Sequence, residues 1–143
     1  MFRHPSTLEA ARAFSDPPLN EIPVQFDSSR NAALLPDGLT LALPRATTLL
    51  NNAPSRMVLG IRAHQLHLSA HSNKGAISGR VDLAEISGSD TYLHLSRDGL
   101  SLVAQLPGVH SFALGDVCTL HIDPADLYGF DVSGTLLFAP EAA

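Results

Sequence analysis

The stretch Tyr92-Leu93-His94-Leu95-Ser96-Arg97-Asp98-Gly99-Leu100-Ser101-Leu102-Val103 decides the fold class. On both sides of Asp98-Gly99 the residues alternate apolar and polar. Asp-Gly is a dipeptide for which the positive φ of a primed two-residue turn costs little, so the stretch reads as a β-hairpin. Working outward, the same period-two pattern predicts strands at 22–26, 39–43, 57–62, 66–69, 75–86, 91–96, 100–105, 117–122 and 135–138. Turns fall at Pro36-Asp37-Gly38, Ser87-Gly88-Ser89-Asp90 and Pro107-Gly108, where Gly or Asp accepts a positive φ. Residues 45–54 read equally as a loop or as one helical turn. Short strands punctuated in this way, with no internal repeat, predict a mainly β fold: an OB-like β-barrel of short antiparallel strands.

The first twenty residues differ in character. Ser6-Thr7-Leu8-Glu9 is a capping box, Ala10, Ala11 and Ala13 favour a helix, and Asp16-Pro17-Pro18 stops it. A short N-terminal helix is expected, too short to be stable unless it docks on something.

Composition narrows the function classes. The 143 residues carry a formal charge of -5, with Lys+Arg 9 against Asp+Glu 14, so no basic stripe exists to neutralise phosphates and a nucleic-acid partner is excluded. The charged share is 16%, below the roughly 25% usual for a domain, which suits a surface partly covered by a partner. Cys118 is the lone cysteine and the apolar segments are short, which together predict a cytoplasmic location. The single lysine, Lys74, stands outside any glycine-rich phosphate loop, so the chain has no Walker A site.

No catalytic constellation emerges. His64, His67 and His71 would gather on one face of a helix and suit zinc, but Gln65-Leu66-His67-Leu68-Ser69 alternates as a strand, which sends residues three apart to opposite faces. Cys118 sits within an apolar strand pattern and reads as a small core residue. Asp116, Asp123, Asp126 and Asp131 each adjoin a chain reversal and read as turn caps.

Two separated stretches resemble a known family. Phe2-Arg3-His4-Pro5 followed by Phe14-Ser15-Asp16-Pro17-Pro18-Leu19-Asn20 is similar to the seam where the nucleotide-binding domain ends in ATPase subunits of carbohydrate-type ABC importers, the maltose and glycerol-3-phosphate group. Leu19 stands where that family usually has Met. Then come Val58-Leu59-Gly60-Ile61-Arg62, the run from Val81 through Glu85, Gly88 and Tyr92 to His94, Gly115-Asp116-Val117, and Phe130-Asp131. In that order they resemble the C-terminal regulatory domain of the same subunits, the transport-associated OB (TOBE) module. Ala63-His64 departs from the Pro-Glu that usually follows Gly-Ile-Arg.

The resemblance implies a division at residue 20: 1–20 as the remnant of the nucleotide-binding domain, and 21–143 as an OB-like regulatory domain, with Met1 an engineered or internal start. It implies a regulatory and dimerisation role in the import of a sugar, polyol or glycerol-3-phosphate, with no enzyme activity in this chain. ATP and magnesium would belong to the nucleotide-binding domain. The implied partners are a second copy, the membrane subunits and a signalling protein, at the inner face of the membrane. The family-motif positions are Gly60, Ile61, Arg62, Glu85, Gly88, Tyr92, Phe130 and Asp131. An alternative is a stand-alone module for an oxyanion such as molybdate or sulfate, with Arg62, Arg80 and Ser87-Gly88-Ser89 supplying the donors.

Overall fold

The computed structural model describes residues 7, 19–27, 29–35, 40–43, 55–68 and 75–140. The expected N-terminal helix, the Pro36-Asp37-Gly38 turn, residues 45–54, His71 and Lys74 lie outside them.

Among the described residues, ten strands form two antiparallel sheets. They are β1 (Asn20–Asp27), β2 (Ala32–Leu34), β3 (Thr40–Ala42), β4 (Arg56–Ile61), β5 (Ala76–Ser87), β6 (Asp90–Arg97), β7 (Leu100–Pro107), β8 (Val117–His121), β9 (Tyr128–Phe130) and β10 (Leu136–Phe138). The six-stranded sheet runs β10-β9-β4-β1-β2-β3, and the four-stranded sheet runs β7-β6-β5-β8. The Asp98-Gly99 hairpin joins β6 and β7 as the sequence predicts, with φ of 46° and 81° at the two central residues, the signs a type I′ turn requires. Both inner faces feed one apolar core, from Ile22, Leu59 and Ile61 on one sheet to Leu93, Leu95, Ala104 and Leu120 on the other.

The sheets are curled together at two seams. His67 and His121 exchange backbone hydrogen bonds of 3.1 and 2.7 Å, tying the chain after β4 to the last residue of β8. At the other seam, the side chain of Asn20 takes the place of a strand residue along the outer edge of β7. Its Nδ2 donates to Val103 O at 2.9 Å and to Ile61 O at 3.2 Å, while its Oδ1 accepts from Val103 N at 2.7 Å. A mainly β, OB-like barrel is the result.

Three details differ from the sequence reading. The strand expected at 66–69 is not formed over its described residues, 66–68: Ala63–Gln65 form a 3-10 turn, Leu66 is extended and His67 makes the isolated bridge. The turn drops Ala63 and Leu66 into the core, a helical spacing of three, and Leu68 is only half-buried, so the leucine alternation did not signal a strand. The strands β2 and β9 went unread. Each has three residues, and β9 is buried throughout, so neither shows alternation.

Candidate functional site

The family-motif positions fall into two groups on different sheets. The first surrounds the point where the chain enters the barrel. Gly60 faces Glu21 on β1 and Tyr128 on β9, and a Cβ there would stand 2.8 Å from Leu19 Cδ2 and 3.3 Å from Phe130 Cε2. Close packing is what demands glycine at this position. Ile61 is buried opposite Asn20. Arg62 directs its Nη2 and Nε to the Tyr128 hydroxyl at 3.0 and 3.3 Å, with the guanidinium carbon 5.3 Å from the ring centroid. Tyr128 and Phe130 stack with centroids 6.2 Å apart and enclose Leu19 in a small apolar cluster. Phe130 is therefore core.

Asp131, next to Phe130, organises the β9–β10 turn. Its Oδ1 accepts from Ser133 N, Ser133 Oγ and Thr135 N at 2.9, 2.6 and 2.9 Å. The Ser133 hydroxyl, followed by the backbone donors, holds this carboxyl below its ordinary pKa. Asp27 is built alike, with Ser29 donating from both N and Oγ.

The second group lies on the hairpin β5–β6. Glu85 and Tyr92 are cross-strand partners, and Glu85 Oε1 lies 3.2 Å from His94 Nε2. Gly88 turns the chain with φ of 63° and has open space where a Cβ would go, so backbone conformation requires it. Arg62 sits beside Tyr128 on the six-stranded sheet, whereas Ser87-Gly88-Ser89 caps the far hairpin and Arg80 is exposed on β5. Arg62 thus lies beside a different sheet from the other proposed donors, and Arg80 lies on β5 well before Ser87 at its end.

The remaining titratable residues behave structurally. Asp123 caps a second 3-10 turn, Pro124–Asp126, by accepting from Ala125 N at 3.0 Å. Burial, then the Asp123 charge, raises the Asp126 pKa. Burial also raises the Cys118 thiol, the opposite of what activates a nucleophile. His64 is exposed on its 3-10 turn rather than in a strand, and no group of three metal-ligating side chains occurs among the described residues.

Sequence reasoning missed two buried polar residues. Asn20 is one; the visible signal was an Asn opening a strand, where its propensity is poor. Thr91 is the other, donating to Gly108 O at 2.9 Å and accepting from His110 N at 3.0 Å to pin the loop after β7.

Residues 59–130, from the motif glycine's neighbour to the buried phenylalanine, match the TOBE domain. The chain belongs to the TOBE domain family. This TOBE domain is 31% identical over 131 residues to the sn-glycerol-3-phosphate import ATP-binding protein UgpC of Chromobacterium violaceum, covering 92% of the chain and 35% of that relative. It is 29% identical over 136 residues to the UgpC protein of Yersinia enterocolitica, covering 92% and 36%. With the alpha-glucoside transport ATP-binding protein AglK of Rhizobium meliloti it shares 26% over 140 residues, covering 94% and 38%. The chain thus spans little more than a third of these relatives' length, in their C-terminal part. Among solved structures, the cytoplasmic molybdate-binding protein ModG superposes with a TM-score of 0.61 at 14% identity, over 77% of this chain and 94% of that one, which is a likeness of fold. No helix among the described residues is long and apolar enough to cross a membrane.

Proposed function

We propose that this TOBE domain is the regulatory part of an ABC importer's ATP-binding subunit, serving uptake of a sugar, a polyol or glycerol-3-phosphate, and that it works by binding rather than by catalysis. The observation that carries this reading is the 31% identity over 131 residues to a glycerol-3-phosphate import protein. On this reading ATP and magnesium are handled by a nucleotide-binding domain. The TOBE domain pairs with a second copy and stands at the cytoplasmic face beside the membrane subunits, where it also receives a signalling protein.

The roles of the motif positions follow from their places. Gly60, Ile61, Arg62 and Phe130 secure the entry of the chain into the barrel, so a movement of the preceding segment is passed to β4 and β9. Glu85, Gly88 and Tyr92 shape a projecting hairpin suited to contact, and Asp131 sets the last turn. The decisive experiment replaces the matching C-terminal third of the Yersinia enterocolitica protein with this chain. Uptake of glycerol-3-phosphate by cells carrying the chimera is the expected result. A chimera that folds and binds ATP but neither assembles with its membrane subunits nor sustains uptake would overturn the reading.

A further inference from the structure

The hairpin β5–β6 extends past the end of β8, so among the described residues the far part of β5 pairs with β6 alone. β8 pairs with Ala76 to Arg80, and Val81 still exchanges backbone bonds with Gly115 and Asp116, each at 2.8 Å. A register shift between Val81 and Leu83 then bends β5 away. Beyond it, Ser87 and Asp90 flank the two-residue turn and bond to each other. By alternation, the backbone groups of Ala84 and Ile86 therefore point outward from the sheet. Among the described residues no strand pairs with that edge.

The two faces of the edge differ in chemistry. Ala84 and Ile86 lie opposite Leu93 and Thr91, which are fully buried, so they continue the apolar inner face; Ile86 is nonetheless 58% exposed. Asp82, which accepts from Ser96 Oγ at 3.1 Å, Leu83, opposite His94 and 43% exposed, and Glu85, beside His94, lie on the outer face, so acids flank one apolar side chain there. An added strand would need apolar side chains on one face and cations on the other, alternating with period two. A second copy of this edge, in the register that sets Ala84 opposite Ile86, would bring Glu85 against Glu85.

We propose that the outer edge of β5 from Asp82 to Ser87 is a docking site for an extended partner segment that alternates apolar and cationic residues and binds by adding a strand. The probe is the synthetic peptide acetyl-(Lys-Val)3-amide, titrated into the isotopically labelled chain while amide exchange is followed by NMR. Slowed exchange at Ala84 and Ile86 is expected. Asp82→Asn with Glu85→Gln, which keep the polar shapes, should weaken binding by roughly fivefold to tenfold, since each lost cross-strand charge pair is a modest term. Equal protection by acetyl-(Glu-Val)3-amide, or no protection at millimolar cationic peptide, overturns the proposal. So does protection of these amides that rises with protein concentration in the absence of peptide, which would assign the edge to a second copy.

Discussion

At the scale of single residues, Asn20 joins two sheets through one side-chain amide. Both its donor and its acceptor are used on Val103, and it is 4% exposed. Asn20→Ala strips partners from the Val103 amide and carbonyl at once, and we expect a loss of about 1–3 kcal/mol. Asn20→Asp should also destabilise, because a carboxylate cannot donate to Val103 O or Ile61 O. Urea unfolding midpoints with an unchanged slope check both. Asp27 and Asp131 set the acid limit: their folded pKa values lie below the ordinary 3.8, so their contribution is complete above the unfolded value and is lost as pH falls through the folded one. Stability to urea should decline below about pH 4, less steeply in Asp131→Asn. Asp126 has the opposite sign. Burial raises its pKa, so its ionisation costs stability as pH rises through the folded value, and Asp126→Asn should raise the urea midpoint at neutral pH.

At the scale of elements, the β6–β7 hairpin shows how far local chemistry reaches. Asp98 and Gly99 both adopt positive φ, which Gly tolerates at no steric cost. Gly99→Ala should cost about 1–2 kcal/mol although nothing lies within 4 Å of its added Cβ, because the strain is in the backbone. Thermal unfolding measures it, and a loss near zero would contradict the turn geometry. Gly60→Ala tests the other kind of glycine. Its Cβ would meet Leu19 Cδ2 at 2.8 Å without any positive φ, so the expected penalty of about 1–3 kcal/mol is one of overpacking. Pairing Gly60→Ala with Leu19→Ala should recover part of the overpacking, leaving less than the sum of the two losses.

At the scale of the whole molecule, family membership and fold likeness lead to different experiments. The importer reading expects a concentration-dependent dimer, checked by sedimentation equilibrium; a mass that stays monomeric at several hundred micromolar removes that part of it. The oxyanion reading has Arg62 beside a different sheet from its other proposed donors and already engaged by Tyr128. Millimolar molybdate should therefore leave the melting temperature unchanged, whereas a ligand at about a hundred times its Kd would add about 2.7 kcal/mol.

Much of this architecture was written along the chain. Alternation and Asp98-Gly99 determined the central hairpin, the turn residues determined where most strands stop, and the ordered motifs around Gly60, Glu85 and Phe130 determined the family. These are signals carried by neighbours in sequence. Tertiary structure alone decided the rest. The short strand β9, buried on both faces, has no period to display; the turn from Ala63 to Leu66 sets both apolar side chains into the core. Asn20 acquires its role only when Val103, 83 residues away, arrives at its side. Among the described residues, the far edge of β5 has no pairing strand because β8 ends early. The physical reason is common to all of these: burial and pairing with distant segments are properties of the assembled sheets, and no local pattern encodes which far residue will stand opposite.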